Sequence, residues 1–267
     1  MLTSKISIPP LAPPRAKTDE LIELLGFAMI VLLPAIMSNF GLPQSAASEH
    51  QSLYSQIGFI KELLGSLQFG LVAAFFLARH GRGKSWSDVA TRQLSWPMQV
   101  LAGIGLWFAY YLFFDFWAVV AALARIRTPS IAWLHPIGDN EAMLNGVFSM
   151  VNGFSEEIMR VYLLVQTQRV GLGRTGAALA VAVAMASYHL YQGAFTVIAF
   201  ILVHVLLNKL YIAKRPLLAL IVWHILSDFM HSTELIGWGF VSEMINGSFA
   251  VGVLALTRVF GKLPIHH

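Results

Sequence analysis

The feature that most constrains this chain is the recurrence of uninterrupted apolar runs close to twenty residues long. That is the length the ~30 Å hydrocarbon core of a bilayer requires of a helix. Bounded by charges, Gly and Pro, the runs fall near residues 21–39, 63–79, 98–124, 142–166, 174–190, 193–213, 216–232 and 237–260. A backbone in lipid has no water to satisfy its amides, so runs of this kind must close their own hydrogen bonds as helices. The expected fold is an all-α, polytopic transmembrane bundle of about eight spans. Composition agrees: 57% of residues are hydrophobic and 12% charged, against the roughly 25% charge of a soluble domain. The third run is rich in aromatic residues and carries Asp115; the eighth is interrupted by Glu243, Asn246 and Gly247.

The formal charge of +4 is spread through short connections and forms no dense cluster, which argues for topology signals and lipid-headgroup contacts and against a nucleic-acid partner. With the N-terminus inside, the inner segments hold Lys5, Arg15 and Lys17, then Arg79, Arg82, Lys84 and Arg92, Arg169 and Arg174, Lys209, Lys214 and Arg215, and Arg258 and Lys262. The outer segments hold only Lys61, Arg125 and Arg127. This asymmetry fits eight spans with both termini cytoplasmic. Residues 1–20 are polar and Pro-rich and read as a cytoplasmic tail, leaving 21–262 as one transmembrane domain. A cleaved leader is the competing reading, with small residues at Gln44–Ser48, but the run before them exceeds the ~7–15 residues of a signal core. No internal repeat supports an inverted-repeat transporter. Cysteine is absent, so any chemistry rests on His, carboxylates or hydroxyls.

Three charged residues lie inside the fourth run, in the stretch from Asn152 to Leu164: Glu156, Glu157 and Arg160. Each ionised group near the centre of a span costs about 2.5–3.5 kcal/mol on insertion scales, so three together point to function. Glu156 lies four residues before Arg160 and Glu157 three before, so either can pair with it on one helical face. Consecutive residues are about 100° apart, which leaves one carboxylate for a second task. The bland alternative is a buried ion pair that only ties helices together. Two further runs bring polar groups: His189 closes the fifth, and His224 and Asp228 sit one turn apart in the seventh. A Glu, two imidazoles and an Asp are the parts of a water-activating site. His204 in the sixth run and Asp115 lack such companions and read as helix–helix contacts.

At these residues the chain resembles the CPBP family of CAAX-protease and bacteriocin-processing membrane proteins, also called the Abi or type II CAAX endopeptidase family. The family pattern is Glu-Glu followed by Arg, then Phe-x-x-x-His, then His-x-x-x-Asn or Asp. Here it corresponds to Glu156-Glu157 with Arg160, Met185 to His189, and His224 to Asp228, within about 142–232. The Arg lies one residue closer to the pair than the family spacing. Aligning on Arg160 puts Ser155 and Glu156 at the paired positions; aligning on the pair itself keeps Glu156 and Glu157. Met185 replaces the family Phe.

The resemblance implies an intramembrane endopeptidase of a prokaryotic cytoplasmic membrane, acting on a membrane-associated or lipidated peptide or protein. Its catalytic residues would be Glu156, Glu157, His189, His224 and Asp228, supported by Arg160. Glu156 and His189 would polarise water, His224 would stabilise the oxyanion and Asp228 would orient its imidazole. No cofactor is expected. The chemical alternative is a zinc ion on Glu156, His189 and His224, since two His and one carboxylate form a known catalytic zinc set. The functional alternatives are a non-catalytic scaffold or bacteriocin-immunity protein, and a proton-coupled transporter using the same residues as a relay.

Overall fold

The computed structural model describes residues 17–33, 56–81, 94–126, 139–190 and 193–233. These form helices with no strand among them: α1 (Lys17–Phe27) continues into a π-helical turn (Ala28–Leu32), followed by α2 (Gln56–Gly81), α3 (Trp96–Leu123), α4 (Asp139–Arg169), α5 (Arg174–Ser187), α6 (Ala194–Lys214) and α7 (Leu217–Thr233). The second to seventh apolar runs, and the described part of the first (21–33), thus fall mainly on helices. The eighth, 237–260, lies outside the described residues, as do Glu243, the side chain of Asp115 and most of the 1–20 tail. By length and composition α6 and the Trp96–Ala121 stretch of α3 can cross a membrane; the apolar stretches Leu63–Ala78, Arg174–Ser187 and Leu217–Phe229 are shorter.

The fifth run ends earlier than its hydropathy indicates. α5 has 14 residues, about 21 Å at 1.5 Å per residue, and the chain turns at Tyr188 and His189. The turn between α4 and α5 is a Schellman closure: Leu172 N–H donates to Thr167 O and Gly171 N–H to Gln168 O, both at 3.1 Å, with Gly171 at φ +105°. The two helices leave that turn as arms of nearly equal length. Glu156 lies thirteen residues before Arg169 and Tyr188 fourteen after Arg174, each about 20 Å along its helix. Equal arms bring the end of α5 level with the middle of α4, which settles the depth of the 188–189 turn relative to Glu156.

Around α4 the remaining helices pack in pairs: α2 and α7 against α4 itself, α3 against α7, and α6 against α5. The aromatic third run finds its use at these contacts. Tyr110 meets Trp223 edge-on at 5.5 Å, Phe114 meets Phe200 at 5.1 Å, and Trp117 stacks on Phe195 at 4.6 Å while donating to its carbonyl. Close crossings come where a side chain is missing. A Cβ on Gly153 would lie 2.8 Å from Ile225 N, and one on Gly70 would lie 2.6 Å from Ser155 Oγ. Small residues at such crossings let membrane helices approach closely. Here they draw α7 and α2 onto the stretch of α4 that carries Asn152, Glu156 and Glu157.

The distribution of polarity runs opposite to that of a water-soluble domain. Arg160 heads the largest fully buried side chains, while Ile30, Leu71, Phe75, Phe116 and Leu206 are each at least 60% exposed. Large exposed apolar side chains on these four helices match a lipid surround.

Candidate active site

The two adjacent glutamates divide as helical geometry requires, and their neighbours decide which does what. Glu157 is fully buried and held by a forked pair from Arg160, Nε to Oε2 at 2.8 Å and Nη2 to Oε1 at 3.0 Å. This bidentate arrangement is the strongest geometry available to the pair. The remaining guanidinium nitrogen, Nη1, donates to His204 Nδ1 at 2.8 Å and Asn208 Oδ1 at 3.2 Å, and Arg160 Cζ lies 5.8 Å from the Trp223 ring centroid. A guanidinium only donates, so His204 accepts through Nδ1 and is the neutral Nε2–H tautomer. Asn208 in turn donates to Ala178 O at 2.8 Å, tying α6 to α5. His204 is the interhelical contact its isolated position suggested.

Glu157 has one further partner. His224 Nδ1 is 2.7 Å from Glu157 Oε1; the carboxylate accepts, so the imidazole carries its proton on Nδ1. This turns Nε2 toward the other two carboxylates, 3.5 Å from Glu156 Oε2 and 3.7 Å from Asp228 Oδ1. The group that orients His224 is therefore Glu157. Asp228, expected in that role, instead accepts from Asn152 Nδ2 at 2.8 Å.

Glu156 is the carboxylate with access. Its side chain is 17% exposed against 0% for Glu157, and it lines a cavity of about 90 Å³ together with Val31, Leu32, Ser66, Phe69 and Met159. Since one water occupies ~10–15 Å³ on this measure, the cavity has room for several. Asn152 Nδ2 donates to Glu156 Oε1 at 3.0 Å, and the Tyr188 hydroxyl donates to Oε2. His189 packs against Tyr188 at 4.5 Å and stacks on Phe200 at 4.6 Å, which puts it beside the residue that touches Glu156. Four of the residues singled out from sequence, Glu156, Glu157, His224 and Asp228, thus converge with Arg160 behind them; His189 lies at the edge of the group.

The structure adds Asn152, Tyr188 and Ser66. Asn152 precedes Glu156 by four residues, the same spacing that linked Glu156 to Arg160, so its place was readable. Tyr188 is adjacent to His189, and a tyrosine at the end of an apolar run carries no signal of its own. Ser66, donating to Asn152 Oδ1 at 3.0 Å, carries no sequence signal. Among the described residues no three His, Asp or Glu side chains are arranged to hold a metal ion.

One comparison with known proteins falls on this same segment. No curated protein and no solved structure is significantly similar to the chain. Residues 140–230, which contain every side chain of the cluster except Ser66, match the family model described as Type II CAAX prenyl endopeptidase Rce1-like, the family that the three motifs resemble.

Proposed function

We propose that the protein is an intramembrane endopeptidase in which Glu156 is the base that activates water. The observation that carries this reading is the division between the glutamates: Glu157 is sealed on Arg160 and His224, whereas Glu156 faces a cavity large enough for water. In the proposed reaction Glu156 takes a proton from a cavity water as its oxygen attacks the scissile carbonyl carbon. His224, with Nδ1–H given to Glu157, presents Nε2 toward Glu156 at 3.5 Å. As an imidazolium flanked by three carboxylates, it donates the Nε2 proton to the developing oxyanion. His189 assists from beyond Tyr188, in the role the resemblance gives it. The proton held by Glu156 then passes to the departing amine as the C–N bond breaks, and the proton on the former oxyanion returns to His224 Nε2 as the carbonyl re-forms. The substrate is a membrane-associated or lipidated peptide or protein, as the family match supports, and no step requires a metal.

The topology proposed with it is the eight-span, N-in/C-in arrangement over 21–262. Since the chain has no cysteine, single introduced cysteines and a membrane-impermeant thiol reagent test it directly.

The deciding experiment incubates purified protein with a library of membrane-tethered and lipidated peptides, with and without chelator, and reads products by mass spectrometry. Cleavage that survives chelation and is lost in Glu156→Gln, with about a 100–10,000-fold drop in kcat, is the expected result. Variants that lose only thermal stability would favour a scaffold. Proton-coupled uptake in proteoliposomes, abolished by the same substitution, would favour a transporter.

A further inference from the structure

We infer that Asn152 is a positioning residue that aims Glu156 at the cavity while keeping it apart from Asp228; the inference rests on the peptidase reading above. Its carboxamide is fully engaged. One Nδ2 hydrogen goes to Glu156 Oε1 at 3.0 Å and the other to Asp228 Oδ2 at 2.8 Å, while Oδ1 accepts from Ser66 Oγ at 3.0 Å. An amide can be rotated by half a turn without changing its shape. The two carboxylates, which only accept, fix the orientation in which the N–H groups face them and the carbonyl faces Ser66 on α2. The reverse orientation would aim the carbonyl oxygen at two anions.

This arrangement solves a problem the site creates for itself. His224 Nε2 lies 3.5 Å from Glu156 and 3.7 Å from Asp228, so both carboxylates crowd one imidazole, and two like charges gathered there repel. A neutral double donor between them satisfies one oxygen of each. It does so without introducing a cation, which would pair with Glu156 and remove it from catalysis. Tyr188 holds the other Glu156 oxygen. With one bond at each oxygen the carboxylate is fixed in place, and a free lone pair remains for the water it is to deprotonate. The close crossings at Gly70 and Gly153 bring Ser66 and Asp228 within reach of Asn152.

The test uses Asn152→Leu, which keeps the branched shape and removes the donors, measured on a peptide that the wild type cleaves, with Glu156→Gln alongside. A base displaced by about 1 Å costs on the order of 100-fold in rate. The expected result is therefore a 10–100-fold fall in kcat, with KM within about twofold and the melting temperature in detergent little changed. Wild-type kcat in this variant would overturn the inference, as would a loss fully accounted for by unfolded protein. Should Asn152→Leu fail to insert, Asn152→Asp carries the test: it replaces the donors with a third carboxylate and is expected to lose at least as much kcat, and a kcat within about threefold of wild type would overturn the inference. Ser66→Ala, which removes one of the three bonds that hold the amide, is expected to show a smaller fall of the same kind. A wild type inactive on every peptide would instead remove the peptidase reading itself; an active wild type, an inactive Glu156→Gln and a normal Asn152→Leu would strike the role of Asn152 alone.

Discussion

Replacing Arg160 with Met should damage this protein more than replacing both Arg160 and Glu157. The side chain is fully buried and makes two charged bonds to Glu157, plus one each to His204 and Asn208. Arg160→Met fills a similar volume but leaves the Glu157 carboxylate uncompensated, with His224 as its remaining partner. Breaking a buried pair by removing one member typically costs about 3–5 kcal/mol. Insertion scales independently assign about 2.5–3.5 kcal/mol to a lone ionised residue in mid-membrane. A loss near 3 kcal/mol is therefore expected. In the double variant Glu157→Met/Arg160→Met the unpaired charge is gone, and buried pairs replaced by apolar residues are often neutral in stability. The double variant should then be more stable than Arg160→Met by about 3 kcal/mol. Reversible unfolding in mixed micelles measures this. If the double variant were less stable than the single, the cost would lie in lost contacts and not in the stranded charge. The double variant should also lose catalysis, because it removes the Glu157 carboxylate bonded to His224 Nδ1.

Other consequences can be read from particular contacts. Gly153→Ala places a Cβ 2.8 Å from Ile225 N and should cost about 1–3 kcal/mol by forcing α7 off α4, whereas Gly26→Ala meets nothing within 4 Å and should stabilise α1 by about 0.5–1 kcal/mol; thermal unfolding compares the two. Tyr188→Phe removes one of the two bonds that fix Glu156 and should lower kcat by about 10-fold or more with little change in KM, measured on the peptide cleaved by the wild type. Glu20 is buried at the end of α4, where Gln166 Nε2 reaches both its carbonyl and its carboxylate at 2.7 Å and Arg169 lies 3.4 Å away. Glu20→Ala should therefore weaken α1 docking by about 1–3 kcal/mol, seen as faster hydrogen exchange confined to α1.

Much of the architecture was legible because the properties that specify it are local. Run length and hydropathy place a helix without knowledge of its neighbours, and the second to seventh runs did so. α5 was extended too far because its apolar character continues through Leu190, while the chain had already turned at Tyr188. The Glu157–Arg160 pair was foreseeable from spacing of three along one helix. So was the dual use of Glu156 and Glu157, since adjacent residues point about 100° apart.

What the sequence could not state was which glutamate turns to the cavity. That depends on where α2, α5 and α7 lie around α4, and their positions are set by equal hairpin arms and by glycines at the crossings. Nor could it show that His224 is oriented by Glu157, sixty-seven residues away, while Asp228, its neighbour one turn on, is held by Asn152. The sequence by itself determined the helices, the buried charges and the motif set, because each is written in a stretch no longer than one span. Only the tertiary structure assigned partners to those charges, because a hydrogen bond of 3 Å depends on the crossing of two helices and no single helix contains that information.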